Sequence, residues 1–395
     1  MLSLKQLDRI VEAQHALPVV VLAGFALRIA AALVVPDQSA TLGDAVAYRE
    51  AGHSLWATGH LGTPFFMPLY PALVAVTGPG WVQLLIDISL STATIWLIYE
   101  LTKQIFGDKR TALVAAAIAA VYPFFIFYSI VGLTETSFIA LLVAAYLCWY
   151  RNAFIPAAIF SVLAILTRPI FDPLAPILVI YFAFAISGLS IGGTAKQLAV
   201  YAAIYCVLMA PWWVHNYNIY GNFVRLNLGS GLALFSANNP SNLTGGLDTK
   251  LNESMAPFDG ISNPIARDKA LRDAAFSYMK DNPQRTLVQA TRRFIRFWYP
   301  WPYADEYGSA KYKIISLFSF VPVLLMALLY VISGSRVQFR RIAPLLLFCA
   351  YLTSLHMVFP GSLRYRLPLE PFLVILAAAG IIDLKTRLHA KAAYA

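Results

Sequence analysis

Apolar residues run along this chain in long blocks rather than in short alternation. About ten blocks approach the roughly 20 residues a bilayer-crossing helix needs. They lie near 18–35, 81–100, 111–129, 134–150, 153–167, 170–187, 198–215, 312–332, 342–359 and 366–382, the one at 153–167 being short. Two stretches break the run, 36–80 and 216–311. The pattern predicts an all-α polytopic membrane protein, because lipid leaves no partner for a backbone group outside its own helix. It divides into a transmembrane module over 1–215 that contains the loop 36–80, a loop domain over 216–311, and C-terminal transmembrane helices with a tail over 312–395.

The second loop holds a turn-rich segment, SGLALFSANNPSNLTGG, and then DNPQRTLVQATRRFIRFWYP. In the latter, Leu287, Ala290, Phe294 and Phe297 recur at helical spacing while Arg285, Arg292, Arg293 and Arg296 take other positions. That predicts an amphipathic helix in the membrane interface. It serves as a structural anchor or, on a sharper reading, binds a lipid phosphate.

Composition supports the membrane reading. The chain is 59% hydrophobic and 13% charged over 395 residues, where soluble domains carry about 25% charge. Its 21 Tyr and 8 Trp suit interfacial belts. The net charge of +10 follows topology rather than nucleic acid. With the N-terminus in the cytoplasm, Lys103, Lys109, Arg110, Arg151, Lys196, Arg336, Arg340, Arg341, Lys385, Arg387 and Lys391 all fall on the cytoplasmic side. Both termini are then inside and both loops outside. The first block reads as an uncleaved helix rather than a signal peptide, since it is span-length and contains Arg28.

Several chemistries are not encoded. Cys148, Cys206 and Cys349 lie in apolar blocks and imply neither a disulfide framework nor a metal cluster. The six histidines show no metal spacing, and Walker, GxSxG, HExxH and Rossmann patterns are absent. Asn242 and Asn252 begin glycosylation sequons, which matter only in a eukaryotic lumen. No internal repeat is evident, which weighs against inverted-repeat transporters.

The ionisable residues near the outer face carry the candidate chemistry. Asp44 follows Gly43 in the first loop, with Tyr48 at i+4 and His53 beyond it. The loop returns through Pro68, Tyr70 and Pro71, a rigid turn. Glu135 begins the fourth block on the same face, where it also serves as a first-turn acid. Arg168 precedes Pro169 at the end of the fifth block, and Arg364 and Arg366 flank Tyr365 before the last. Two carboxylates and several arginines on one face point to a lipid phosphate and acid–base chemistry. Arg28 and Asp87 lie at similar depth, about 9–12 Å in, and read as an ion pair.

These segments resemble the GT-C type membrane glycosyltransferases. Among these they are similar to bacterial relatives of the dolichyl-phosphate-mannose protein mannosyltransferases and of the aminoarabinose transferases, glycosyltransferase families 39 and 83. GDAVAYREAGHSLWATG with MPLYPALVA is similar to the first outer loop of that group, and LTETSFIALLVAAYL to the stretch with its second acid. LAILTRP, PWWVHNYNIYG, SANNPSNLTGG, DNPQRTLVQATRRFIRFW and LRYRLPLEPFLVILAAAG follow in order.

The resemblance implies a GT-C fold and a polyprenyl-monophosphate sugar donor. Transfer would go with inversion to a periplasmic acceptor, whether lipid A, polysaccharide, another lipid or protein. It places the enzyme in the cell inner membrane with its site on the periplasmic face. Asp44 is then the base, Glu135 a partner acid, and Arg168, Arg364 and Arg366 the phosphate ligands. Tyr48, His53, Tyr70 and Tyr365 are substrate contacts. The resemblance fixes no cofactor, and a divalent cation on Asp44 and Glu135 stays open. His215 stands where relatives often have arginine, and no large C-terminal soluble domain follows. A lipid-linked-sugar flippase and an O-antigen-ligase-like enzyme are the alternatives. The glycosyltransferase reading requires Asp44 and Glu135 close together at a lipid-facing mouth.

Overall fold

Each apolar block becomes helix, and the breaks fall where proline, glycine or a capping side chain forces them. The computed structural model describes residues 15–35, 42–78, 80–246, 250–303, 309–334 and 336–394. It is 80% helical with no strands among the described residues. The start of the first loop, residues 36–41, lies outside them.

In chain order the helices are α1 (Ala16–Val34), α2 (Gly43–Thr58), α3 (Leu69–Thr77), α4 (Trp81–Phe106), α5 (Lys109–Val121) and α6 (Pro123–Tyr128). Then come α7 (Glu135–Tyr150), α8 (Phe154–Thr167), α9 (Ala175–Tyr181), α10 (Ile191–Tyr220), α11 (Ser230–Ala237) and α12 (Leu251–Met255). The last are α13 (Pro264–Asp281), α14 (Pro283–Trp298), α15 (Ala310–Ser333), α16 (Arg336–Val358), α17 (Leu363–Arg366) and α18 (Glu370–Tyr394).

Among the described residues, 6 helical stretches are long and apolar enough to cross a membrane: α1, α4, α10, α15, Gln338–Val358 and Leu363–Ala390. Three of the other expected spans are shorter apolar helices, Glu135–Tyr150, Phe154–Thr167 and Ala175–Ile186. The remaining block, 111–129, is split into α5 and α6 at Tyr122. Pro123 fixes that break, because the residue before a proline is pushed out of helical conformation. Asp108 caps α5 by accepting from the Arg110 and Thr111 backbone N–H groups at 3.1 Å.

Small residues let the bundle close. A Cβ on Gly24 would meet Ile95 Cδ1 at 2.3 Å and Ala120 Cβ at 3.2 Å, so α1 lies directly on α4 and α5. A Cβ on Gly380 would meet the Met326 carbonyl at 2.3 Å, which brings α18 onto α15. Such contacts substitute for a hydrophobic driving force that lipid does not supply.

The expected Arg28–Asp87 ion pair is not formed. Arg28 is fully buried and donates to Ser91 Oγ at 2.7 Å and to the Gly24 and Ala120 carbonyls. Ser91 sits one turn beyond Asp87 on α4, so the guanidinium meets neutral oxygens. Asp87 instead accepts from the Tyr70 hydroxyl at 2.9 Å.

One end of the bundle gathers basic side chains. There Arg151 pairs with Glu100, the Tyr150 hydroxyl donates to the Arg341 carbonyl, and Arg340 donates to the Ala185 carbonyl. The two long loops meet at the other end, where the Leu228 N–H donates to the Pro64 carbonyl at 2.9 Å.

Candidate functional site

Gly59 in left-handed conformation stops α2, and α3 folds back on it. A Cβ on Gly52 would meet Val74 Cγ1 at 2.6 Å, so the two helices are in close contact. Asp44 lies in the first turn of α2 with its side chain 57% exposed. Tyr48, one turn on, stacks on Phe66 with centroids 4.0 Å apart and meets Tyr70 edge-on at 5.5 Å. Burial pushes the Tyr48 phenol above its ordinary 10, partly opposed by the charge of Arg168.

Three further elements converge on this turn. Glu135 opens α7 and is fully buried. Arg168 ends α8 in extended conformation, as Pro169 requires. Its Nη1 donates to Glu135 Oε1 at 2.5 Å and to Thr134 Oγ1 at 3.2 Å. Arg364 lies in α17, the single turn before α18. Its Nε donates to the same Glu135 oxygen and its Nη1 to Asp44 Oδ2. One guanidinium therefore spans both acids, and the four residues form a continuous charge chain, Asp44–Arg364–Glu135–Arg168. Glu135 Oε2 is buried without a hydrogen-bond partner.

The other expected contacts lie elsewhere. Arg366 is fully buried, donates to Glu370 Oε1 at 2.8 Å and to the Tyr299 carbonyl at 2.7 Å, and lies over the Phe320 ring at 3.5 Å. It is two residues from Arg364 on a helical turn, so it faces the core and not the cluster. Tyr365 stacks on His356 at 4.8 Å. Tyr70 is 1% exposed and held by Asp87 and Gln83, behind Tyr48. His53 is exposed and lies half a turn of azimuth and about 13 Å along α2 from Asp44.

The expected amphipathic helix is α14. Leu287, Val288, Phe294 and Ile295 are exposed, whereas Gln289, Arg293 and Phe297 face the protein. Arg293 is fully buried and donates to the Met357 and Ala237 carbonyls and to Asn238 Oδ1 at 2.7, 2.6 and 3.0 Å. Burial lowers its pKa to about 10. Phe297 stacks on His356, which stacks in turn on Tyr365. A Cβ on Gly361 would meet the Arg293 carbonyl at 2.7 Å. α14 therefore clamps the segment that carries Arg364. Arg293, Phe297 and His356 were not among the expected site residues. Glu370 at i+4 from Arg366 was the one sequence signal that Arg366 is a packing residue.

No family model matches this sequence, and no curated protein matches it. Solved structures do match. The oligosaccharyltransferase of Archaeoglobus fulgidus tethered to an acceptor peptide aligns with a TM-score of 0.56 at 14% identity, over 97% of this chain and 51% of that one. The same archaeal enzyme with an inhibitory peptide and a dolichol-phosphate aligns at 0.56 and 16%, over 96% and 51%. Its apo form aligns at 0.55 and 14%, over 97% and 52%. This chain has a GT-C fold. It spans about half the length of those neighbours, and at this identity the likeness concerns the fold alone.

The GT-C bundle brings two expected acids and two expected arginines together. Among the described residues no group of three or more His, Cys, Asp or Glu is placed to hold a metal. Arg364 also occupies the position between Asp44 and Glu135 that a shared cation would take.

Proposed function

We propose that this protein is a membrane glycosyltransferase. It takes its sugar from a polyprenyl-monophosphate donor and transfers it, with inversion, to an acceptor outside the bilayer. The supporting observation is the chain Asp44–Arg364–Glu135–Arg168, in which an exposed carboxylate and two arginines share one buried acid. Each member has a role that chemistry requires. A phosphate leaving group needs positive charge more than it needs a proton, and a guanidinium fork matches its oxygens. Arg168 and Arg364 supply that charge.

Asp44 needs only to be ionised and within hydrogen-bond reach of the acceptor. The acceptor proton passes to Asp44, the acceptor oxygen attacks the anomeric carbon, and the bond to the lipid phosphate breaks with its electrons on the phosphate. Glu135 is too buried to be the base. It holds both arginines in place and keeps Oε2 as a spare acceptor. In the resting arrangement Arg364 masks Asp44. A donor phosphate competes for Arg364 and so releases the base.

The neighbouring archaeal enzyme was captured with a dolichol-phosphate and a peptide, which favours a lipid-linked donor and includes protein among the acceptors here. We place the cluster on the periplasmic face of the cell inner membrane, with both termini cytoplasmic. The test is sugar release from a panel of polyprenyl-phosphate sugars with acceptor extracts, wild type beside Asp44→Asn. Turnover that disappears in a folded Asp44→Asn protein supports the reading. Equal turnover in both overturns it.

A further inference from the structure

A second site lies at the opposite end of α7 from Glu135. Fifteen residues of helix separate them, about 22 Å, so it is no part of the charge cluster. A cavity of ≈370 Å³ opens there between the α7–α8 turn, the end of α9 and the start of α10. That volume is in the range of small-molecule sites. Trp149, Phe154 and Phe182 line it together with Asn152, Ser187 and Gln197.

The local backbone is unusual on two sides of the cavity. Asn152 has φ +56°, the left-handed conformation that asparagine tolerates best after glycine and that here ends the helix before it. A π-helical turn over Phe182–Ile186 extends α9, and such turns are frequent at functional sites. Ser187 Oγ donates to Asn152 Oδ1 at 2.6 Å, so Asn152 has its amide NH2 left to offer. Trp149 is 3% exposed and its indole N–H has no hydrogen-bond partner.

The charges nearby have one sign that is not neutralised. Lys196 is exposed one residue before Gln197, and the exposed Arg340 reaches the Ala185 carbonyl beside the π-turn. Arg151 is already paired with Glu100. The mouth is flanked by exposed Ile155, Phe184 and Ile191, at 58%, 59% and 82% exposure. An occupant must therefore bring acceptors and negative charge, and it must approach from an apolar surface.

We infer that this cavity binds the headgroup and glycerol-ester region of an anionic phospholipid. The amides of Asn152 and Gln197 bond phosphate or glycerol oxygens. Lys196 and Arg340 lie near the phosphate, and the acyl chains run over Ile155, Phe184 and Ile191. Phospholipid occupancy here is a property of the bundle and does not depend on the sugar-transfer reading.

The test is native mass spectrometry of the full chain in detergent, titrated with phosphatidylglycerol or with phosphatidylethanolamine of matched acyl chains. Wild type is compared with Asn152→Gly, which keeps the left-handed turn and removes the amide, and with Gln197→Leu on a partly exposed helix face. The expected result is a first binding step tighter for phosphatidylglycerol. Each variant should weaken it by about 5–10-fold, the worth of one hydrogen bond, with no fall in thermal stability. Glycerol 3-phosphate at millimolar concentration should not displace the lipid. Equal binding of the two lipids, unchanged phosphatidylglycerol binding in both variants, or displacement by glycerol 3-phosphate would each overturn the assignment.

Discussion

Replacing Arg364 with glutamine separates the two ends of its guanidinium. At one end is Glu135, wholly buried, and at the other Asp44, 57% exposed. An exposed ion pair contributes ~0–1 kcal/mol. Removing one partner of a buried pair costs ~3–5 kcal/mol because the other charge is stranded. Glu135 is not fully stranded, since Arg168 remains on the same oxygen at 2.5 Å. The expected loss for Arg364→Gln is therefore about 2–3 kcal/mol, nearly all of it from the Glu135 side.

Double-mutant cycles read this directly. The Arg364–Glu135 coupling should exceed the Arg364–Asp44 coupling by ~2 kcal/mol. A thiol-reactive dye in detergent follows unfolding, because Cys349 is buried and Cys148 partly buried. For a chain of this size each kcal/mol moves the midpoint by roughly 1–3 °C. Asp44→Asn should leave the midpoint within that interval, and Arg364→Gln should lower it by several degrees. Turnover should fall in both, by ~10²–10⁴-fold for Asp44→Asn and ~10²–10³-fold for Arg364→Gln. If Asp44→Asn proves as destabilising as Arg364→Gln, Asp44 is a structural partner. If Arg364→Gln keeps full turnover, the phosphate role is wrong.

Donor binding gives a complementary readout: Asp44→Asn removes a competitor for Arg364, so a non-hydrolysable donor analogue should bind up to ~5-fold more tightly while turnover falls, as measured by displacement of a labelled lipid. Arg293→Met strands three acceptors under α14 and should cost ~3 kcal/mol or more, with Arg293→Lys rescuing little because an ammonium lacks the fork; thermal unfolding checks both. Gly24→Leu drives a side chain into Ile95, 2.3 Å from the first added carbon, and should destabilise by ~1–3 kcal/mol in the same assay. Because the folded Tyr48 phenol titrates above 10, its contribution to stability is flat below pH 10 and declines as pH rises above it; Tyr48→Phe should remove that alkaline decline in pH-dependent unfolding and leave the shape of the activity profile between about pH 6 and 9 unchanged.

The bundle was legible because block length and apolar content survive any rearrangement of neighbours. Every expected block is helix; Pro169 marked the end of the fifth at Arg168, whereas the break that Pro123 makes at Tyr122 was not read from the sequence. The sidedness of a helix was less legible. The α14 sequence shows two faces but not which medium each meets. Next to a bilayer, the apolar face of Leu287 and Phe294 can turn outward while arginines bond carbonyls within the protein. The same ambiguity misplaced Arg366. Two arginines on one turn point in different directions, and only the partner at i+4, Glu370, tells which is packed. Arg28 was misjudged for a different reason. Depth estimates counted from helix ends do not resolve one turn, and one turn separates Asp87 from Ser91.

The two arginines that do reach the cluster differ in freedom, and that difference suits the chemistry. Arg168 is fixed by Pro169, is 12% exposed, and has Glu135 and Thr134 as partners on one nitrogen. Arg364 is 24% exposed, and one of its two carboxylates is a solvent-facing residue it can release at little cost. The four side chains sum to zero charge when all are ionised. A phosphate added to that set is repelled by Asp44 and Glu135 unless an arginine turns toward it. Arg364 is the one that can turn, because it gives up only the weak pair. On the proposed mechanism the same movement would free Asp44 as the leaving group binds. On that proposal, sharing one guanidinium would tie donor binding to release of the base through the difference in burial between the two acids.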